Sequence, residues 1–238
     1  NDTANVTLHV GALPVMAHAP QEVAEMVGLA GALVLNIGTL TSEWIESMLI
    51  AGRRANERMV PIVFDPVGAG ATILRTESSL RLLRELQISV LRGNAGEIGA
   101  VDGAGGEVRG VESIRGLDDP VATAMTLARK YKTVVAITGA RDILSDGERA
   151  LGVDNGHPWL SANTGTGCMS TAITGAFCAV EQDYLIAAAT ALACFGFAAE
   201  IAATEARGPA SFKVALLDSL YNMTSTRLAE GAKIIDLT

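Results

Sequence analysis

Gly165-Thr166-Gly167-Cys168 is the stretch of this 238-residue chain whose residue types most clearly suit chemistry. Two glycines let a backbone come close to a ligand. The apolar helical run over 169–180 would point unpaired N–H groups and the positive end of a helix dipole at that ligand. Together these features make an anion hole, suited to neutralising a phosphoryl group in transit. The same letters also fit a plain glycine-rich helix start. Neither GxxxxGK[ST] nor GxGxxG occurs, so those two phosphate cradles are excluded. Cys168 falls in the first turn of the expected helix, where a thiolate is stabilised. Cys178 and Cys194 read as small buried hydrophobes.

Asp65, Asn94 and Glu97 form a second constellation. An N-x-x-E pair at a strand-to-helix turn places both side chains on one face, and Asp65 closes a neighbouring apolar run. Oxygen ligands of this kind hold Mg²⁺ loosely, through water, beside phosphates. Helix capping or a solvated loop charge explains each residue equally well when taken singly. Arg92, just ahead of this turn, is placed to clamp a phosphate or to form a surface ion pair. Met16 on its own reads as core packing. His9, His18 and His157 are scattered, which argues against a histidine metal site or triad.

The elements that must position these residues follow from short apolar runs. Runs at 31–37, 60–64, 88–91 and 133–137 lack polar alternation and alternate with amphipathic stretches. Thr41 with Glu43 opens one helix, Thr76 with Glu77 another, and Asp119-Pro120 a third. Unbroken apolar strands interleaved with helices predict an α/β fold, a mainly parallel central sheet with helices on both faces. Ligands of such sheets bind beyond the carboxyl ends of the strands. Those ends carry Asn36, Asp65, Arg92 with Asn94, and Thr138. Further on, Asp146-Gly147 signals a hairpin with a two-residue turn, 103–106 a loop, and the rest of the chain helices. The run over 185–199 stops at Glu200, short of a membrane span, and reads as a buried helix. One domain over 1–238 is expected, with no linker.

Composition narrows the function further. Apolar residues make up 49% of the chain and aromatics only 4%, which suits close packing of helices on a sheet rather than disorder. The net charge of −8, with 18 Lys and Arg and no basic cluster, speaks against nucleic acid as a partner. Three cysteines at spacings that fit neither zinc nor a disulfide framework are expected to be reduced thiols, in keeping with a cytoplasmic protein.

Several segments together resemble the hydroxyethylthiazole kinase family of the ribokinase-like superfamily. They are Pro14-Val15-Met16-Ala17-His18-Ala19, the stretch over 33–40, Asp65-Pro66-Val67-Gly68-Ala69-Gly70, Arg92-Gly93-Asn94-Ala95-Gly96-Glu97, the stretch over 164–169, and Gly208-Pro209-Ala210-Ser211-Phe212-Lys213-Val214. They occur in the family's order and span nearly the whole chain. The resemblance implies Mg²⁺-dependent transfer of the ATP γ-phosphoryl group to the hydroxyl of 4-methyl-5-(2-hydroxyethyl)thiazole. By position it implies thiazole contacts from Met16 and Gly165, ATP contacts from Arg92 and Thr138, and metal service from Asp65 and Glu97. Gly165, Thr166 and Gly167 would form the anion hole. Cys168 would stand where the superfamily usually has an aspartate base. A homotrimer with sites near subunit interfaces is also implied, as is a segment ahead of Asn1 carrying a first strand and more of the thiazole pocket. Two other readings compete. One is a different ribokinase-like enzyme, a hydroxymethylpyrimidine kinase or an ATP-dependent dehydratase; the other is a non-catalytic relative that only binds ligand.

Overall fold

The four apolar runs become four parallel strands of one sheet. In the computed structural model, which describes residues 1–103 and 117–238, they are β1 (Leu33–Asn36), β2 (Ile62–Asp65), β3 (Val90–Asn94) and β4 (Val134–Thr138). Each ends on the polar residue at its carboxyl end, because backbone pairing continues past the apolar side chains. Asn36 pairs with Asp65, and Asn94 with Thr138. β5 (Asp142–Ser145), β6 (Ala150–Val153) and β7 (Ile234–Asp236) then add antiparallel, so the sheet runs β1 to β7 in chain order. Strands β1–β4 and β6 point one way, β5 and β7 the other.

Ten α-helices accompany these strands among the described residues: α1 (Asp2–His9), α2 (Val23–Val27), α3 (Ser42–Arg58), α4 (Ile73–Glu85), α5 (Ala95–Gly103), α6 (Pro120–Tyr131), α7 (Thr166–Cys178), α8 (Tyr184–Glu205), α9 (Pro209–Tyr221) and α10 (Ser225–Gly231). Thr41 caps α3 by accepting the Trp44 N–H, and Asp119 caps α6 by accepting that of Ala122, as their positions predict.

Five local expectations change. Helix α4 starts at Ile73 with Thr72 as its cap, and Thr76 lies inside it with its hydroxyl on the Thr72 carbonyl. The start was hidden because Ile73 and Leu74 are apolar yet exposed, at 77% and 54%. The hairpin forms, but its tip is Gly147-Glu148. Asp146 N–H reaches Arg149 C=O at 3.3 Å, and the Asp146 carboxylate takes the N–H of Glu148 and of Arg149. Gly103 is the last residue of α5, and the rest of the expected 103–106 loop lies outside the described residues. The chain closes on β7 rather than on a helix, a three-residue strand too short to leave a pattern. Helix α8 also exceeds its apolar run. At 22 residues it is long and apolar enough to cross a membrane by length and composition, yet most of it is buried within the fold.

Side-chain alternation sorts the core into layers. On one face Ile62, Phe64, Leu91 and Val135 pack with Leu49 of α3, Leu82 of α4 and Leu127 of α6. On the other face Val63, Val90, Val134 and Ala136 pack with Leu185, Ala188 and Leu192 of α8. A third cluster joins Val6 of α1, Met169 and Ile173 of α7, Phe195 of α8 and Phe212 of α9. Burying each large apolar side chain contributes roughly 1.5–3 kcal/mol. The period of two then decides where the polar ends point. Asp65 lies two residues after Val63, Arg92 two after Val90, and Thr138 two after Ala136. All three therefore share the face covered by α7 and α8. Asn36, two after Val34, joins them: a Cβ on Gly175 of α7 would stand 2.6 Å from Val34 Cγ2.

Candidate active site

Helix α7 begins on Gly165, whose φ of +87° lies in the left-handed region that an L side chain rarely adopts. The first bond of its ladder runs from Met169 N–H to Gly165 C=O at 2.8 Å. The N–H groups of Thr166, Gly167 and Cys168 precede it and have no partner within the helix. The Thr166 hydroxyl is used locally, donating toward Leu160 C=O at 2.9 Å and Asn163 C=O at 3.1 Å. It holds the preceding turn in place, so what Thr166 can offer an anion is its backbone N–H.

Arg92 reaches the same spot from the sheet. Only 8% of it is exposed, and a Cβ on Gly167 would meet Arg92 Nη1 at 3.1 Å. The guanidinium thus lies against the first turn of α7. Its Nη1 is 3.8 Å from Asp65 Oδ2, while its Nε is buried without a hydrogen-bond partner. A buried, incompletely paired cation at a helix N-terminus is a strong anion site.

Asp65 is 1% exposed. Its Oδ2 accepts the Thr171 hydroxyl at 2.7 Å and the Asn36 amide at 3.1 Å. Its Oδ1 takes no hydrogen bond from the described residues. Burial pushes this carboxyl up to about 6, against the opposing pull of Arg92 and of the Thr171 hydroxyl. Asn36 is held in turn by the Gly38 N–H on its Oδ1 at 2.8 Å. Cys168 is partly exposed, and its thiol is pushed above the ordinary value. Burial is the main cause and Asp65 adds to it, while Asn36 and Arg92 act in the opposite direction. This burial opposes the extra thiolate expected from a helix N-terminus.

Asn94 and Glu97 form a reciprocal capping box at the start of α5. Asn94 Oδ1 accepts the Glu97 N–H and Glu97 Oε2 accepts the Asn94 N–H, both at 2.9 Å. Glu97 Oε1 takes the Gly68 N–H at 2.8 Å, which clasps the loop after β2 to the first turn of α5. Thr138 donates to Gly93 C=O at 3.3 Å on the adjoining strand. Met16 stands on the irregular segment before α2, 57% exposed, and is not part of the hydrogen-bonded cluster.

Three residues outside the sequence candidates belong to this architecture. Thr171 sits three residues after Cys168 on α7, a polar residue inside an apolar helical run, which is the one signal that could have marked it. Asp142 accepts the Gly139 N–H at 2.9 Å, and burial pushes its carboxyl up to about 6. Arg75 donates to the carbonyls of Ile37, Gly38 and Val67, tying the β1 and β2 ends together. No group of three or more His, Cys, Asp or Glu positioned for a metal occurs among the described residues. The oxygen donors present, with Asp65 Oδ1 open, fit a hard cation held mostly through water.

The family model described as "Hydroxyethylthiazole kinase family" matches residues 1–226. The hydroxyethylthiazole kinase of Roseiflexus sp. (strain RS-1) is 66% identical over 236 residues, covering 99% of this chain and 87% of its own. The solved structure of a hydroxyethylthiazole kinase protein from Pyrococcus horikoshii OT3 is 48% identical, covers 100% of this chain and 89% of its own, and superposes with a TM-score of 0.92. A pyridoxal kinase structure from Staphylococcus aureus, 18% identical over 83% of this chain and 80% of its own with a TM-score of 0.60, shares the fold alone.

Proposed function

The chain belongs to the hydroxyethylthiazole kinase family, and from that premise we propose how its residues carry the reaction. The ATP γ-phosphoryl group is transferred to the hydroxyl of 4-methyl-5-(2-hydroxyethyl)thiazole, a step of thiamine salvage. The hydroxyl oxygen bonds to the γ-phosphorus as the bond from that phosphorus to the β–γ bridging oxygen breaks, and ADP leaves.

The observation that carries this reading is the convergence of Arg92 and the α7 N-terminus at Gly167. Phosphoryl transfer depends mainly on positioning and charge neutralisation, and both are built in here. Arg92 and Thr138 face the ATP phosphates. The N–H groups after Gly165 receive the γ-phosphoryl oxygens. Gly165 and Met16 border the thiazole. Cys168 lies nearest the hydroxyl and takes its proton as the bond forms. Bound Mg²⁺ would supply positive charge to offset that of the phosphates. Asp65, Asn94 and Glu97 would hold it, Asp65 through the open Oδ1. A homotrimer completes the proposal, supported by Leu13 at 89% and Val15 at 62% exposure beside Met16. Three free thiols and an ATP-dependent salvage step suit the reducing cytoplasm.

ATP consumption with and without the thiazole alcohol, in Mg²⁺ and in EDTA, tests the reading. Thiazole-dependent ADP release that EDTA abolishes is expected. Equal ATP turnover with and without the alcohol would overturn it.

A further inference from the structure

The two oxygens of Asp65 are held unequally. Oδ2 takes the Thr171 hydroxyl at 2.7 Å and Asn36 Nδ2 at 3.1 Å, with Arg92 Nη1 at 3.8 Å, while Oδ1 takes nothing from the described residues. Thr171 has one hydroxyl proton and two acceptors in reach, Asp65 Oδ2 and Gly167 C=O at 3.1 Å. The Gly167 carbonyl already receives the Ser170 hydroxyl at 2.8 Å. A carboxylate is also the stronger acceptor and here the nearer one. The proton therefore belongs to Asp65. Thr171 is fully buried, so this bond links the end of β2 to the helix that carries the anion hole, inside the protein.

We propose that Thr171, with Asn36, is a positioning residue for the phosphoryl transfer: the two donors pin Oδ2 and leave Oδ1 turned toward the metal-bound nucleotide. The inference rests on the kinase reading above. An aspartate's second torsion is soft and roughly two-fold. Released from its donors, the carboxylate swings toward Arg92 and neutralises the guanidinium that the phosphates need. The clamp thus serves two groups at once, keeping an oxygen for the cation and a cation for the nucleotide.

Thr171→Val keeps the shape and removes the donor, whereas Thr171→Ser keeps the hydroxyl. ADP affinity is measured by calorimetry in Mg²⁺ and in EDTA, alongside kcat and both KM values. In Thr171→Val the Mg²⁺-dependent gain in ADP affinity and kcat should each fall about tenfold or more, the usual scale for a residue that orients a metal ligand, with the thiazole KM little changed. Thr171→Ser should restore both. A valine variant with wild-type Mg²⁺ dependence overturns the proposal, and so does a serine variant as impaired as the valine one. If Thr171→Val does not fold, Asn36→Ala removes the other donor on the same oxygen. It should show the same Mg²⁺-dependent loss, and its absence overturns the clamp. A wild-type protein that consumes no ATP with the thiazole alcohol sinks the kinase reading instead, and the calorimetric comparison still decides the clamp.

Discussion

Arg92 Nη1 lies 3.1 Å from the point where a Cβ on Gly167 would stand. Gly167 is helical and Arg92 is the end of a flexible arm, so an alanine there meets a movable cation rather than fixed backbone. The contact separates what the residue does for function from what it does for the fold.

Gly167→Ala should therefore keep the protein folded, because alanine favours helix by up to about 1 kcal/mol over glycine. It should nonetheless displace the guanidinium and lower kcat/KM for ATP by about tenfold or more, the scale of a lost hydrogen bond to a charged group. Gly165→Ala behaves differently: open space surrounds its Cβ, but the φ of +87° is strained for alanine, costing about 1–2 kcal/mol. Thermal unfolding and kinetics on the two variants separate the causes. A fully active Gly167→Ala would reduce this turn to an ordinary helix start.

Glu97→Gln should lose stability as well as turnover. Both carboxylate oxygens accept backbone N–H groups, from Gly68 and Asn94. A glutamine must turn its NH₂ toward one of those donors, at a cost of about 1 kcal/mol. Denaturant unfolding and turnover at limiting Mg²⁺ check the two parts. Wild-type turnover at limiting Mg²⁺ would remove Glu97 from the metal assignment.

The Cys168 series tests the base. With the thiol raised by burial, very little is ionised at neutral pH, and turnover should climb with pH past the ordinary thiol range. Cys168→Ala and Cys168→Ser should retain measurable activity, because proton removal is the smaller contribution to such transfers. Cys168→Asp should match or exceed the native enzyme and flatten the profile. A folded, substrate-binding but inactive aspartate variant would show that the thiol does something a carboxylate cannot.

Asp142 predicts a pH dependence of stability. Its folded value is raised to about 6 from 3.8, so the native state binds more protons than the unfolded chain between those two values. Its contribution is highest below about pH 4, declines as pH rises to about 6, and is flat above. Asp142→Asn keeps an acceptor for the Gly139 N–H and should stabilise the protein at pH 7 by about 1–2 kcal/mol. Denaturant midpoints at pH 4.5 and 7.5 read the difference. An unchanged slope would locate the dependence in other groups.

The sequence was most informative where one residue type does one job. The apolar runs marked β1–β4, and the polar residue closing each marked the site edge. Thr41 and Asp119 marked their helix starts through local capping alone. What stayed hidden depends on pairs distant in the chain. Thr171 meets Asp65 across 106 positions, and Asn36 meets it across 29. The rise in the Cys168 thiol was also out of reach, since burial comes from tertiary packing and opposes the dipole argument available locally. β7 was too short for any periodicity.

Strand order in the sheet follows chain order from β1 to β7. Among the described residues, no strand has to be threaded between two that are already paired. A chain leaving the ribosome can lengthen the sheet one edge at a time, with each new strand finding its preceding neighbour already made. The exception is the second face. Val63, Val90 and Val134 wait in water until α8, ending at Glu205, has been synthesised to cover them.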